Sequence, residues 1–163
     1  MGSSMRALFS PVLAVLVLTF AGGCALAATS PQAGLPVETI TVDTKTGPHS
    51  FKVEVAADEQ SRETGLMFRK TMAPDAGMLF DFETPQAVSF WMENTILPLD
   101  MLFVRADGTI ARIKRNATPY SRENIPSGEP VQLVIELNAG RAQALGIQEG
   151  GHVHAPQLMQ KRH

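Results

Sequence analysis

Short segments in which apolar and polar residues alternate are the main structural signal in this chain. Val88, Phe90 and Met92 fall on one face of an extended segment, while Ser89 and Trp91 fall on the other. This period of two predicts a β-strand with one buried face. Similar alternation, or a short continuous apolar run, predicts further strands over residues 37–42, 51–55, 78–82, 101–105, 109–114, 131–137 and 152–155.

Turn signals separate these segments. Asn94-Thr95 and Pro98 interrupt the strand that ends near Met92, because proline lacks the amide donor that a central strand needs. Asp107-Gly108 lies between two apolar segments and predicts a β-hairpin with a type I′ turn, in which both central residues have positive φ.

Two short helices are predicted between the strands. The first covers residues 59–64, with Asp58 as its N-cap and Gly65 at its end, and the second covers residues 139–145, ended by Gly146. Many short strands, few helices and frequent Gly/Pro turns are typical of a mainly β domain. We therefore predict a mainly β fold with two short helices, forming a small compact barrel or sandwich.

The N-terminal segment predicts export. Arg6 precedes an apolar run over residues 7–20, and small residues follow at 21–23, which is the pattern of a secretory signal peptide. The run is shorter than the roughly 20 residues of a transmembrane helix. Cleavage before Ala28 gives a signal peptide of residues 1–27. Alternatively, Cys24 is lipidated after a signal of residues 1–23, and this lipid is the only membrane contact we expect. The predicted location is the periplasm or cell envelope.

After the signal we predict a flexible leader over residues 28–36, one domain over 37–156 and a frayed tail over 157–163. The chain has one cysteine, so it has no internal disulfide. It carries 14 basic and 16 acidic residues, for a formal net charge of −2. A slightly acidic chain without a basic block is a poor nucleic-acid binder, so we expect no nucleic-acid partner.

Four polar residues stand within the densest apolar part of the domain: Glu93, Asn94, Thr95 and Asp100. A buried polar group without a partner costs roughly 1–3 kcal/mol, so these side chains belong either to a hydrogen-bonded turn or to a binding site. Trp91 beside them supplies a ring for stacking on a sugar or peptide. The alternative places Trp91 in the core and Asn94-Thr95 in a turn stabilised by side-chain hydrogen bonds.

Asp100 has two candidate partners, Arg62 and Arg69. Guanidinium groups beside a carboxylate could position a polar or anionic ligand. The alternative, which we favour, is an internal salt bridge that ties the first helix to the central hairpin.

Metal and cofactor sites are not indicated. His152 and His154 would point to the same side of a strand, but a metal site needs a third ligand from elsewhere. The chain contains no Gly-x-Ser-x-Gly motif, Walker loop, Cys–His pair or zinc motif. We therefore expect neither a metal nor a cofactor.

Several ordered blocks resemble the domain-of-unknown-function 192 family of bacteria and archaea. They read RETGLMFR at 62–69, GMLFDF at 77–82, FWMENT at 90–95, PLD at 98–100 and VIELNAG at 134–140. Usual members carry Lys in place of Glu93 and Asp in place of Gly151. The resemblance implies a small, mainly β fold in an exported or membrane-associated protein, and no established activity comes with it.

These observations favour a non-catalytic module that binds a glycan, a peptide or a small polar ligand of the cell envelope through Trp91, Asn94, Thr95 and Asp100. A first alternative is a hydrolase or transferase that uses Asp100 and Glu93 as a carboxylate pair, with arginines stabilising charge. A second alternative is a module that binds a partner protein through an exposed sheet edge.

Overall fold

A computed structural model describes residues 30–159. The predicted signal peptide, Cys24 and residues 160–163 lie outside this range. Within residues 30–159, no helix is long and apolar enough to cross a membrane.

The fold is mainly β, as predicted. The nine strands in the described range are, in chain order, β1 (Val37–Thr44), β2 (Gly47–Ala56), β3 (Ala76–Gln86), β4 (Ser89–Phe90), β5 (Leu99–Val104), β6 (Ile110–Ala117), β7 (Ile125–Pro126), β8 (Val131–Asn138) and β9 (Val153–His154). Three short helices accompany them: α1 (Glu59–Thr64), α2 (Arg141–Ala144) and α3 (Pro156–Met159).

Seven strands form one curled sheet in the order β6-β5-β8-β3-β2-β1-β9, and β4 pairs with β7 in a separate small sheet. Most neighbours are antiparallel, but β2 and β3 run parallel and are joined through α1. The β9 segment connects the two ends of the curled sheet. It pairs with β1 at Thr41 and Val42, and His152 forms a bridge to Thr109 at the start of β6. The sheet therefore curls towards a barrel.

Strand β8 lies between β3 and β5 and separates two apolar clusters. Leu133, Ile135 and Leu137 point into one cluster, while Val134 points into the other. This period of two places Glu136 on the same face as Val134, which is the face that carries the candidate site. Both faces of β8 are therefore buried, and for this reason its sequence is a nearly continuous apolar run.

Helix α1 begins at the predicted N-cap. The Asp58 carboxylate accepts a hydrogen bond from the Ser61 amide at 2.8 Å, and the Ser61 hydroxyl oxygen accepts one from the Asp58 amide at 3.3 Å. The hydrogen bond from the Ser61 amide lowers the pKa of the Asp58 carboxyl. Gly65 ends the helix with φ 47°. This short helix is fixed at both ends by its local sequence.

The hairpin between β5 and β6 is present, but the predicted type I′ turn is wrong. The Gly108 amide donates to the Arg105 carbonyl at 3.0 Å, and Gly108 alone of the Asp107-Gly108 pair has positive φ, at 88°. This is the three-residue loop with a glycine bulge. The Asp107 carboxylate accepts the Thr109 amide at 2.9 Å, which stabilises the longer loop.

Two segments near the ends of the described range also contact the sheet or α1. Helix α3 occupies residues 156–159, across the boundary between the predicted domain and the predicted tail, and Gln157 donates to Glu38 on β1 at 2.7 Å. Residues 30–36, within the predicted leader, have no regular secondary structure, but Gln32 donates to the Gly65 carbonyl at 2.7 Å. Both segments are therefore attached to the domain by specific hydrogen bonds.

Candidate functional site

A cleft of about 790 Å³ opens beside α1, over the apolar cluster that contains Val134. Helix α1 and the segment after it form one wall, and the segment 88–95 forms the other. The residues that line it are Glu59, Arg62, Glu63, Gly65, Leu66, Met67, Phe80, Phe82, Val88, Ser89, Phe90, Trp91, Glu93, Asn94, Thr95 and Glu136.

Aromatic rings form much of the apolar surface of this cleft. Phe90 meets Phe80 edge to face with ring centroids 5.0 Å apart, and it meets Phe82 at 6.3 Å. The guanidinium of Arg62 lies over the Phe82 ring, 5.4 Å from its centroid. Edge-to-face contacts of this kind fix ring orientation, so the cleft has a preformed aromatic surface.

The wall at 88–95 presents Trp91 outward. Met92 is fully buried and anchors the segment, while Trp91 is 52% exposed. The Thr95 amide donates to the Met92 carbonyl at 3.1 Å, which makes the predicted turn, and Asn94 has φ 55° within it. The interpretation that placed Trp91 in the core is therefore wrong, whereas a turn at Asn94-Thr95 is present. The turn has both this backbone hydrogen bond and a side-chain bond from Thr95 to the backbone.

The polar side chains of this wall have different environments. Glu93 forms a salt bridge with Arg122, which is mostly exposed. Asn94 is exposed, and its backbone carbonyl accepts the Phe68 amide at 2.9 Å. Thr95 is buried, and its hydroxyl donates to the Glu93 carbonyl at 3.3 Å. Glu93 and Asn94 thus remain accessible to a ligand, while the Thr95 hydroxyl mainly holds the turn.

Glu136 lies at the floor of the cleft and was not among the predicted site residues. Its register neighbours are Met78 on β3 and Met101 on β5, both fully buried, and Glu136 itself is 4% exposed. Its carboxyl makes no hydrogen bond or salt bridge to any residue in the range 30–159. Burial raises the pKa of this carboxyl to about 8. At neutral pH the floor of the cleft therefore holds a mainly protonated carboxylic acid.

The two predicted arginines, Arg62 and Arg69, bind different groups in the structure. Arg62 lines the cleft and donates to the backbone carbonyls of Ala57 and, at 2.9 Å, Asp81. Arg69 lies outside the cleft lining and binds both carboxylate oxygens of Glu54. The hydrogen bond to Glu54 raises the pKa of the Arg69 guanidinium. Only Arg62 is therefore placed to influence a ligand in the cleft.

Asp100 is fully buried, as favoured, but the predicted salt bridge to Arg62 or Arg69 is wrong. Its two carboxylate oxygens accept the backbone amides of Asn116 and Ala142, each at 2.9 Å. Backbone amides satisfy the carboxylate, so it needs no guanidinium partner. Asp100 does not line the cleft, and the structure does not bring it together with Glu93 there.

The sequence comparison identifies the family. A model of the family DUF192, described as "Uncharacterized ACR", matches residues 40–155. The chain belongs to the DUF192 family. The match includes every strand that forms the cleft and confirms the resemblance seen in the sequence blocks.

Two solved structures share this DUF192 fold. One is a candidate transcription regulator from Sinorhizobium meliloti 1021, with 46% sequence identity and a TM-score of 0.74, over 77% of this chain and 98% of that one. The other is a protein of unknown function from Novosphingobium aromaticivorans DSM 12444, with 37% identity and a TM-score of 0.74, over 81% of this chain and 94% of that one. No curated protein matches the chain.

The histidines of this DUF192 domain lie away from the cleft lining. The rings of His152 and His154 are 4.7 Å apart, and His154 lies 3.4 Å from the Asp43 carboxylate. Over residues 30–159, no group of three or more His, Cys, Asp or Glu side chains is arranged to hold a metal.

Glu136 could have been noticed in the sequence. It is the one charged residue in the run VQLVIEL, where a carboxyl must be buried whichever face of the strand it occupies. The sequence could not show that Glu136 faces α1 and the segment 88–95 across a cleft, because both segments lie far from Glu136 along the chain.

Proposed function

We propose that the protein is a non-catalytic binding module of the cell envelope whose ligand is a glycan. The observation that carries the proposal is the cleft in which the exposed ring of Trp91 stands beside Glu93 and Asn94, above an aromatic floor. Sugars have apolar ring faces and polar edges, so their binding sites combine an accessible aromatic ring with hydrogen-bonding side chains. This cleft has both, and its volume falls within the roughly 300–1,000 Å³ of small-molecule sites.

The charges of the cleft narrow the ligand class. Glu59, Glu63 and Glu93 line it together with Arg62, whose guanidinium is already bound to two carbonyls. Arg122 pairs with Glu93, so Glu59 and Glu63 supply the negative charge of the rim. An acidic rim repels phosphates and carboxylates. A neutral or cationic ligand is therefore favoured over an anionic one.

A second candidate function is glycoside hydrolysis. Such enzymes pair a protonated carboxyl, which acts as the acid, with an ionised carboxylate, which acts as base or nucleophile. The raised pKa of Glu136 suits the first role, and Glu93 in the same cleft is the candidate for the second. This candidate replaces the pair of Asp100 and Glu93, because Asp100 is bound to backbone amides away from the cleft. The engagement of Glu93 with Arg122 favours simple binding.

Location and partners belong to the same proposal. The pattern over residues 6–27 supports export, which would place the cleft among cell-envelope glycans. The relative described as a candidate transcription regulator does not favour nucleic-acid binding here, because this chain has more acidic than basic residues. A protein partner at an edge of the seven-stranded sheet is less favoured, since β9 covers β1 and His152 bridges to Thr109 beside β6, so the two edges lie against each other.

The test uses the only tryptophan of the chain as its probe. Trp91 lies at the cleft, so its fluorescence should change when cellotetraose, chitotetraose or the fully deacetylated tetrasaccharide binds. These three sugars share a β-1,4 backbone and differ only in the group at C2. We expect at least one to bind with a dissociation constant below about 1 mM. No response to any of them at 10 mM, by fluorescence or calorimetry, would overturn the proposal.

Two variants make the test specific. Trp91→Ala should weaken binding, measured by calorimetry, by about tenfold because it removes the stacking surface. Tyr120→Asn is the matched control, because Tyr120 is 61% exposed but does not line the cleft, and asparagine tolerates its φ of 60°. Equal losses in both variants would contradict a binding site at Trp91.

A further inference from the structure

Glu136 is the buried group whose presence the fold does not explain. It occupies the central strand β8 between Met78 and Met101, where an apolar side chain would pack without cost. Every other buried carboxylate side chain in residues 30–159 has an interaction: Asp100 accepts two amides, and Asp81 accepts the Glu83 amide at 2.8 Å. Glu136 has no such partner, and it faces the cleft.

Among residues 30–159, the surroundings of Glu136 contain no fixed cation that could serve as its partner. Its neighbours on β3 and β5 are methionines, so no titratable group faces it from the two paired strands. Across the cleft, α1 contributes Glu59, Glu63 and Arg62, and the opposite wall contributes Glu93. Arg62 is turned to the carbonyls of Ala57 and Asp81. Consistently, burial rather than a neighbouring charge raises the pKa of Glu136.

Aromatic rings line the same cleft as this carboxyl. Phe80, Phe82 and Phe90 line the same cleft and form one edge-to-face cluster. The faces of aromatic rings attract cations, and rings combined with a carboxylate are the usual equipment for holding an ammonium group. The acidic rim at Glu59 and Glu63 would draw such a group into the cleft.

We propose that this cleft selects a ligand with a free amino group, and that Glu136 is the residue that receives it. For a glycan, which is the ligand class of the proposed function on which this inference rests, the preferred form is an amino sugar whose nitrogen is not acetylated. A carboxylic acid and an amine form the ion pair by moving one proton from the Glu136 carboxyl to the nitrogen. If the amine arrives already protonated, that proton goes to solvent. No other reactant is needed.

The experiment compares the three β-1,4 tetrasaccharides, which differ only in a hydroxyl, an acetamido or an amino group at C2. Titrations at pH 7 use Trp91 fluorescence and calorimetry. The deacetylated tetrasaccharide should bind at least about tenfold more tightly than either neutral one, because a charge-assisted contact replaces a neutral one.

Two variants, each of which replaces one carboxyl group of the cleft by an amide, identify the residue responsible. Glu136→Gln keeps the size of the side chain, and its folding is checked by near-ultraviolet circular dichroism. It should remove the tenfold preference for the deacetylated sugar. Glu63→Gln removes one carboxylate from the rim of the same cleft, where Glu63 is exposed. It should reduce the preference by no more than about twofold.

The remaining outcomes of these titrations separate the amine inference from the proposed function. Equal binding of all three sugars would overturn the amine inference and leave glycan binding in place. Equal loss of preference in Glu63→Gln and Glu136→Gln would overturn the assignment to Glu136, because general attraction by the rim would then explain the preference. Binding of none would defeat the proposed function itself. Cleavage of the tetrasaccharides by the unmodified protein, detected by mass spectrometry and lost in Glu136→Gln, would overturn the amine inference in favour of hydrolysis.

Discussion

The carboxylate of Asp100 on β5 accepts a hydrogen bond from the backbone amide of Ala142, at 2.9 Å, in the first turn of α2. The helix has no side-chain cap of its own, because its N-cap residue is Gly140. Asp100 therefore supplies from a neighbouring strand the acceptor that a local side chain usually provides. Its other oxygen binds the Asn116 amide, so one buried carboxylate connects β5, β6 and α2.

Asp100→Asn should destabilise the protein by about 1–3 kcal/mol, because the amide group can accept only one of these two hydrogen bonds and turns a donor towards the other. Urea unfolding followed by circular dichroism measures the change. A cost below about 0.5 kcal/mol would contradict the structural role of this carboxylate.

A double-mutant cycle gives the control for Asp100. Arg62→Met and Arg69→Met should each show coupling to Asp100→Asn of less than about 0.5 kcal/mol, because neither guanidinium contacts Asp100. Larger coupling would restore the salt-bridge interpretation.

Glu136 should make the stability of the protein depend on pH. The folded protein holds its proton up to a pKa of about 8, whereas the unfolded chain loses it near 4.5. Between these values the folded state binds more protons than the unfolded state, so the free energy of unfolding falls as pH rises. We expect a loss on the order of 2–4 kcal/mol between pH 5 and pH 8 from this group.

Glu136→Gln isolates that contribution, because the other titrating groups are common to both proteins. The variant should have nearly the stability of the parent at pH 5 and should exceed it at pH 8, measured by urea unfolding at each pH. Parallel stability curves for the two proteins would show that the carboxyl has an ordinary pKa.

Gly108→Ala should destabilise the hairpin more than a comparable change elsewhere. A Cβ at Gly108 would lie 2.6 Å from the His152 ring and 2.7 Å from the Val153 carbonyl, in addition to the strain of φ 88°. We expect a cost of about 3 kcal/mol in the free energy of unfolding. Gly128→Ala is the matched control, because its φ is 82° but nothing lies within 4 Å. It should cost only about 1 kcal/mol. Similar costs would show that β9 does not pack on the turn.

The Arg69–Glu54 salt bridge should contribute more than an exposed one. Both side chains are about one-fifth exposed and both carboxylate oxygens are used, so we expect a coupling of about 1 kcal/mol. The Arg105–Glu129 pair has side chains 42% and 41% exposed, and its coupling should be less than half as large. Double-mutant cycles in low and high salt measure both couplings. A stronger response of the Arg69 pair to salt would contradict its partial burial.

Export predicts a defined N-terminus. The intact mass of protein recovered from the native cell should correspond to a start at Ala28 or to a diacylated Cys24. Recovery of the unprocessed chain from the cytoplasm would contradict the proposal.

Local signals predicted the local structure well. The N-cap at Asp58, the end of α1 at Gly65 and most strands followed from patterns a few residues long. The hairpin after β5 was also predicted, but its turn type was wrong, because the side-chain hydrogen bond from the Thr109 amide to Asp107 favoured a longer loop.

Partners that are distant in sequence could not be predicted in the same way. Asp100 and Arg69 carry opposite charges and looked complementary, yet each found its partner elsewhere, in backbone amides and in Glu54. A charged side chain in a sequence has many possible partners, and only the strand order selects among them. For the same reason, Trp91, Glu93 and Asn94 were predicted as one site from their proximity, whereas Glu136 was missed.

The contact of β9 with β1 has a consequence for how the chain folds. Gln157 and Glu38 are hydrogen-bonded although 119 positions separate them, and Val153 of β9 pairs with Val42 of β1. Contacts of such high sequence separation form slowly, because the entropy of a long loop must be lost first. The curled sheet therefore stays open during synthesis until the segment around residue 153 has emerged. A chain that crosses a membrane unfolded would benefit from this delay, since β9, the last strand within residues 30–159, is the one that joins the two ends of the sheet.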